Sequence, residues 1–280
     1  MINKLVLGSA QWGIRYGINN TDGIPSTNSL NEILKISIKN NITHIDTASS
    51  YGDAEERIGK IGKGCFNIIT KIGNNTSDHD IKEFVKNSIS KTKSSNLYAC
   101  LFHNYKDLLN KPFLWEDLIL VKKEGFVSKI GFSLYHPDEL KILLELNFFP
   151  DIIQVPYNLL DRKFESDIKR LSKKGVEIHV RSIFLQGLLL NKKLRKKIVF
   201  NNEFQIWNYF DKWLLENKFS PLEACISHVN SNKFIDKIII GVENPNQLSE
   251  IINAFKIPAK AMPRPSVEFK EELFNPSKWK

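Results

Sequence analysis

Cysteine is scarce in this 280-residue chain, with Cys65, Cys100 and Cys225 standing alone. They are far apart and odd in number, which argues against a disulfide framework or a clustered zinc site. No apolar run approaches the roughly 18 residues that span a bilayer, so no membrane association is expected. The opening MINKLVLGSAQWG passes straight into a short strand-like run. It has neither the long apolar segment nor the small-residue cleavage site of a signal peptide, and a cytoplasmic protein is the expectation. No Gly-x-Gly-x-x-Gly follows any apolar run, which disfavours a doubly wound nucleotide-binding sheet. No linker or low-complexity tract divides the chain.

Charge is plentiful, with a net of +9. The lysines are spread over the chain, and only NKKLRKK, from Asn191 to Lys197, is dense. Solvated helix faces and a general preference for anionic ligands account for this pattern, and nucleic acid is not the expected partner.

Short apolar runs recur throughout: KLVLG (4–8), ITHID (42–46), FNIITK (66–71), LYACLFH (97–103), VSKIGFS (127–133), DIIQV (151–155), VEIHV (176–180) and DKIIIG (236–241). Their β-branched and aromatic content suits buried strands. Amphipathic segments lie between them. STNSLNEILKISIKN opens with capping-type residues and is expected to put Leu30, Ile33, Leu34 and Ile38 on one helix face. Alternating β and α units in this number predict a closed parallel (β/α)8 barrel, an α/β fold spanning residues 1–280 as a single domain. The stretch from Leu188 to Asn202 falls outside the pattern and is expected to be a loop or helix over the barrel mouth.

Active sites of such barrels sit at the C-terminal ends of the strands. Asp46, Lys71 and His103 end three successive runs, about one βα unit apart, so one rim should gather them. Tyr51 follows just above Asp46. A free phenol has a pKa near 10. An ammonium beside it, Lys71, is expected to lower that value, with Asp46 holding the ammonium. His103 would donate to a carbonyl oxygen beside the phenol. This set can protonate the oxygen of a carbonyl under reduction, or deprotonate an alcohol. Read against it, His44 and Asp46 share a strand face and form a weak metal pair. The neighbouring strand ends add no further ligand except His103, and no metal is expected.

HIDTASSYGDAEERIG closely resembles the signature of the aldo-keto reductase family, in which an Asp-Thr-Ala, a tyrosine and a helix-opening acidic segment follow in order. The resemblance continues through NIITKIG, CLFHNYKDLL, KIGFSLYHPDEL, DIIQVPYNLLDR, VRSIFLQGLLL and IIIGVENPNQLSEII, over nearly the whole chain. It implies a (β/α)8 barrel that uses NADPH or NADH to reduce aldehydes or ketones. It also implies a catalytic tetrad at Asp46, Tyr51, Lys71 and His103. Gly8 and Ser9 match positions near the nicotinamide ribose. Ser133 and Gln154 match carboxamide contacts, and Ser182 matches a serine near the phosphates. Gly241, Glu243 and Gln247 lie in the last cofactor segment, at a helix N-terminus suited to anions.

The sequence departs from the family pattern at several places. Leu134 replaces the asparagine that follows the carboxamide serine. Arg181 replaces an aromatic ring that stacks on the nicotinamide, and an arginine plane can stack too, with added charge. Glu243 and Gln247 stand where NADPH-preferring members place Lys or Arg, and an acidic group suits a free 2′-hydroxyl better. These departures motivate an alternative, a non-catalytic nucleotide-binding barrel acting as a sensor or partner subunit. The N-terminal hairpin of many members is missing, so the tail RPSVEFKEELFNPSKWK is expected to cover the barrel bottom. Trp12 and the HNY segment are candidates for the substrate side. The resemblance is to a bacterial subgroup associated with carbohydrate metabolism, which makes a sugar or sugar conjugate the expected small-molecule substrate.

Overall fold

The computed structural model describes residues 2–18, 20, 22–62, 64–73, 81–197, 204–264 and 274. Eight parallel strands close in sequence order into a barrel. They are β1 (Leu5–Gly8), β2 (His44–Asp46), β3 (Asn67–Ile72), β4 (Leu97–Phe102), β5 (Val127–Ser133), β6 (Ile152–Pro156), β7 (Glu177–Arg181) and β8 (Lys237–Gly241). Every expected run forms a strand. β1 pairs with both β2 and β8, so the described sheet closes.

Alternation along the strands explains why the rim is polar. Val6, Ile69, Ala99, Leu101, Ile152 and Ile239 form an apolar cluster of their own inside the barrel. Successive side chains alternate faces, so the residue two further on points the same way. Two further on from Val6, Ile69, Leu101, Ile152 and Ile239 come Gly8, Lys71, His103, Gln154 and Gly241. The register sets Asp46 beside Gly8 and Ser133 beside Gln154. One C-terminal rim therefore collects the polar groups.

Helices cover the outside. Thr27–Lys39 is capped by Ser26, whose side chain accepts from Ser29 N. It buries Leu30, Ile33, Leu34 and Ser37, while Ile38 is 55% exposed. The expected face was therefore wrong in its last member. The inward stripe runs i, i+3, i+4, i+7, and Ser37 takes that place by donating its hydroxyl to Ile33 O at 2.8 Å.

The β7–β8 connection carries a second apolar cluster that includes Leu188, Leu189, Phe210, Trp213 and Met262. Its helices are Lys192–Lys197, Phe204–Asn217 and Pro221–Ser231. The first of these lies in the stretch expected to cap the mouth, and the rest of that stretch beyond 197 lies outside the described residues. Most of the tail expected to cover the barrel bottom also lies outside them. Its described Phe274, like Met262 just ahead of it, packs on this second cluster instead. Among the described residues, no helix is long and apolar enough to cross a membrane.

Polar side chains gather at the N-terminal ends of the strands. Glu177 accepts from Tyr98 OH at 2.8 and 2.9 Å, bonds His179 Nε2 at 2.6 Å and pairs with Lys129. Burial alone would raise the Glu177 carboxyl. Hydrogen bonds from His179, Lys129 and Tyr98 hold it far below the carboxylate range instead. His44 meets Tyr98 edge-on at 4.7 Å between ring centres. It stands at the start of β2, whereas Asp46 at the end of that strand is engaged by Lys71 and Gln154. Among the described residues, no group of three or more His, Cys, Asp or Glu could hold a metal ion.

Candidate active site

Asp46 and Lys71 form a buried ion pair at the rim. Lys71 Nζ donates to Asp46 Oδ2 at 2.5 Å and to Thr47 O at 2.9 Å. Gln154 Nε2 donates to Asp46 Oδ1 at 2.6 Å, so each carboxylate oxygen holds a donor. The side chains are 1% and 5% exposed for Lys71 and Asp46, and a charge so buried must be paired. Burial lowers the Lys71 pKa, and Asp46 opposes that shift.

Tyr51 sits above this pair. Lys71 Nζ lies 5.2 Å from its ring centre, and the His103 ring meets it edge-on at 6.0 Å. Backbone, more than side chains, fixes its height. A Cβ on Gly13 would fall 1.8 Å from Tyr51 O, and one on Gly52 would fall 2.4 Å from Gly13 O. Gly52 also has φ +58°, the left-handed region that glycine tolerates best. The two loops therefore meet main chain to main chain.

The electrostatics differ from the expectation that Lys71 lowers the phenol's pKa. Burial pushes the Tyr51 pKa well above 10, and the Asp46 charge adds to this. Lys71 has its charge spent on Asp46, and Arg181 is the cation that pulls the Tyr51 value down. The phenol is thus held protonated, as a proton donor must be. Burial, with Lys71 and Arg181, lowers His103 to about 3, so its ring is neutral near pH 7. One ring nitrogen then carries a proton it can donate, and the other accepts.

Two cavities open on this group. The inner one, about 490 Å³, is lined by Asp46, Tyr51, His103, Gly8, Ser9, Ser133, Gln154, Arg181, Ser182, Gly241, Glu243 and Gln247. The candidates of the tetrad and of the cofactor contacts line it except Lys71, which lies beneath, and Leu134, which is buried. The outer one, about 890 Å³, is lined by Ser49, Ser50, Glu83, Phe84, Asn87, Asn104, Tyr105, Lys106 and Glu139, among others. His103, Ser133 and Tyr135 border both.

Some placements were not foreseen. Trp12, a candidate for the substrate side, is fully buried in the main core and serves packing. Leu134 is also fully buried, and its backbone N–H donates to Gln154 O at 2.9 Å. Arg181 lays its guanidinium over the Tyr135 ring at 4.2 Å. Tyr135 was missed, and its only signal was an aromatic two residues past a strand-end serine. Gln11 was missed too. A Cβ on Gly241 would strike its side chain, so Gln11 packs against that part of the cavity wall.

The aldo/keto reductase family model matches residues 4–265. Among solved structures, an aldo-keto reductase from Bacillus halodurans in its holo form is similar at 20% identity and a TM-score of 0.73, covering 92% of this chain and 88% of that one. A Pseudomonas aeruginosa protein described as "the putative aldo-keto reductase" is similar at 22% identity and a TM-score of 0.67, covering 90% of this chain and 89% of that one. No curated protein matches the sequence at a significant level.

Proposed function

Because this chain belongs to the aldo/keto reductase family, and so is an NAD(P)-dependent oxidoreductase of carbonyl compounds, we propose that Tyr51 is its proton donor and that its substrate is a polyhydroxylated aldehyde or ketone. The observation that carries the first part is the buried Lys71–Asp46 pair beneath a protonated phenol and a neutral imidazole. His103 and Tyr51 both border the inner cavity, where they can hold one carbonyl oxygen between two donors. Donors set in place before the reaction stabilise the charge that develops on that oxygen. Lys71 donates to Asp46 at 2.5 Å and to Thr47 O at 2.9 Å, which fixes the pair in place beneath the phenol.

The inner cavity suits a nicotinamide dinucleotide. Ser9 Oγ and Ser133 Oγ are buried without a hydrogen-bond partner. A buried hydroxyl in that state costs free energy until a ligand satisfies it. In this reading Ser133 and Gln154 hold the carboxamide, Gly8 and Ser9 flank the ribose, and Ser182 and Gly241 face the phosphates. Reduced nicotinamide, when bound, supplies the hydride. Arg181 is the sole Lys or Arg among the described residues lining this cavity, whereas two carboxylates, Glu243 and Glu250, also line it. Glu243 Oε2 accepts from Gln247 Nε2 at 3.3 Å. Two carboxylates disfavour a 2′-phosphate, so the cofactor of this reading is NADH rather than NADPH.

Hydroxyls, amides, carboxylates and the Tyr105 and Tyr135 rings line the outer cavity, a mixture suited to a polyol such as a sugar or sugar conjugate. We read the protein as a single-domain cytoplasmic enzyme over residues 1–280, with no nucleic-acid partner. Lys192 and Arg195 of the dense basic cluster are engaged by Asp211, which leaves less charge for phosphates.

Steady-state turnover of a matched aldehyde panel tests this. NADH is expected to give a kcat/KM at least about tenfold above NADPH, the effect of one misplaced charge. Aldoses are expected to exceed aliphatic aldehydes of equal length. Preference for NADPH would overturn the role of Glu243. Preference for plain aliphatic aldehydes would overturn the sugar assignment.

A further inference from the structure

Arg181 ends β7 with a charge that no carboxylate meets in a direct ion pair among the described residues. Its Nη2 donates to Leu134 O at 2.9 Å, its Nη1 to Ser182 Oγ at 3.3 Å, and its plane lies on Tyr135. None of these partners is an anion, and no salt bridge to Arg181 exists among the described residues. Lys71 and Gln154 already take both oxygens of Asp46. His103 is neutral. Asp161 feels the Arg181 charge but is itself paired with Lys163 at 3.0 Å, so Arg181 is a fixed cation with no ion-pair partner of its own among the described residues. It lines the inner cavity and not the outer one. Within the inner cavity it keeps company with Ser133 and Gln154, which puts it at the nicotinamide end if the reading above holds.

The two redox forms of nicotinamide differ by one charge at that end. The oxidised ring is a cation and the reduced ring is neutral. A guanidinium pinned by a carbonyl, a hydroxyl and an aromatic face cannot swing away cheaply from a cationic ring. We propose that Arg181 makes this site select the reduced cofactor over the oxidised one, by repulsion of the nicotinamide cation. The oxidised form then leaves readily after hydride transfer and competes weakly for re-entry. This rests on the cofactor reading above and goes beyond it, because a neutral residue at this position would hold a nicotinamide without choosing its redox state.

Isothermal titration of the purified full-length chain with NADH and, separately, NAD+ tests it without any turnover. The wild-type dissociation constant for NAD+ is expected to exceed that for NADH by at least about tenfold, which a unit charge at contact range supports even at a surface-like dielectric. Arg181→Gln is expected to shrink that ratio by about tenfold, chiefly by tightening NAD+. Arg181→Lys, which keeps the charge but not the planar stack, is expected to retain most of the ratio. Arg181→Met serves as the second neutral variant should the glutamine one fail to fold. An unchanged ratio in the neutral variants overturns the proposal and leaves the cofactor reading standing. So does equal loss in Arg181→Lys, which would trace the effect to stacking. A wild-type chain that binds none of NADH, NAD+, NADPH and NADP+ overturns both together.

Discussion

The two ends of this barrel hold the same kinds of side chain in opposite states. At the C-terminal rim stand a carboxylate, a phenol, an ammonium and an imidazole: Asp46, Tyr51, Lys71 and His103. Towards the N-terminal ends of the strands stand Glu177, Tyr98, Lys129 and His179. There one carboxylate takes all three partners, with the phenol and the imidazole both bonded to it. At the rim the carboxylate takes only Lys71 and Gln154, and the phenol and imidazole are left facing a cavity. A satisfied set stabilises the fold. A set with donors in reserve has something to offer a substrate.

Breaking each set should therefore damage a different property. The largest effect is expected from Tyr51→Phe, which removes the reserved proton. Turnover should fall at least about 100-fold, the scale of general acid catalysis. Thermal stability and cofactor affinity should barely change, and near-wild-type turnover in this variant would sink the mechanism.

Acid should strain both ends. Burial lowers His103 to about 3 at the rim and, with Lys237, lowers His44 to about 4 at the base. Burial also lowers His228 to about 3. Each has a folded pKa below its unfolded value of about 6.5, so each takes up a proton on unfolding below that pH. The stability they confer is complete above pH 6.5 and is lost as the pH falls towards 3. The slope is about 1.4 kcal/mol per pH unit for each deeply buried histidine. Denaturation midpoints that stay level from pH 7 to pH 4.5 would contradict this.

A smaller effect is expected from Glu177→Gln. It leaves Lys129 without its anion and weakens the bonds from Tyr98 and His179. Because Lys129 is about one-third exposed, the loss should be about 2 kcal/mol rather than that of a fully buried pair. Turnover at low temperature should be kept. A variant that folds normally but turns over slowly would mean that the base takes part in the chemistry.

The rim was legible in the sequence because barrel chemistry is read at strand ends: Asp46, Lys71 and His103 each end an apolar run, and Tyr51 follows one of them by five residues. The base was not. Tyr98, Lys129 and Glu177 sit at or near strand beginnings, where any polar residue looks like ordinary punctuation, and nothing local says that three strands aim at one carboxylate. The hydrogen bond from Gln154 to Asp46 crosses from β6 to β2 and has no local signal either. Ile38 and Trp12 misled for the same reason in reverse. Each is a large apolar residue whose place is set by tertiary packing, and helical period or nearness to a strand end does not reveal it. Arg181 was visible as a departure, but its ring partner Tyr135 belongs to another loop and could not be paired with it.

The seam between Gly13 and Gly52 gives the reactive phenol a datum that belongs to the main chain. The outer cavity draws Phe84, Asn87, Tyr105 and Glu139 from elements outside that seam. The walls that those four residues supply can be rewritten without touching the seam, whereas Ser49, Ser50 and His103, which also line this cavity, belong to the proton-delivering group or its approach. For a designer this separates two problems that most pockets entangle. Substrate range is editable at that part of the outer wall, and a library confined to Phe84, Asn87, Tyr105 and Glu139 leaves the main-chain seam beneath Tyr51 untouched.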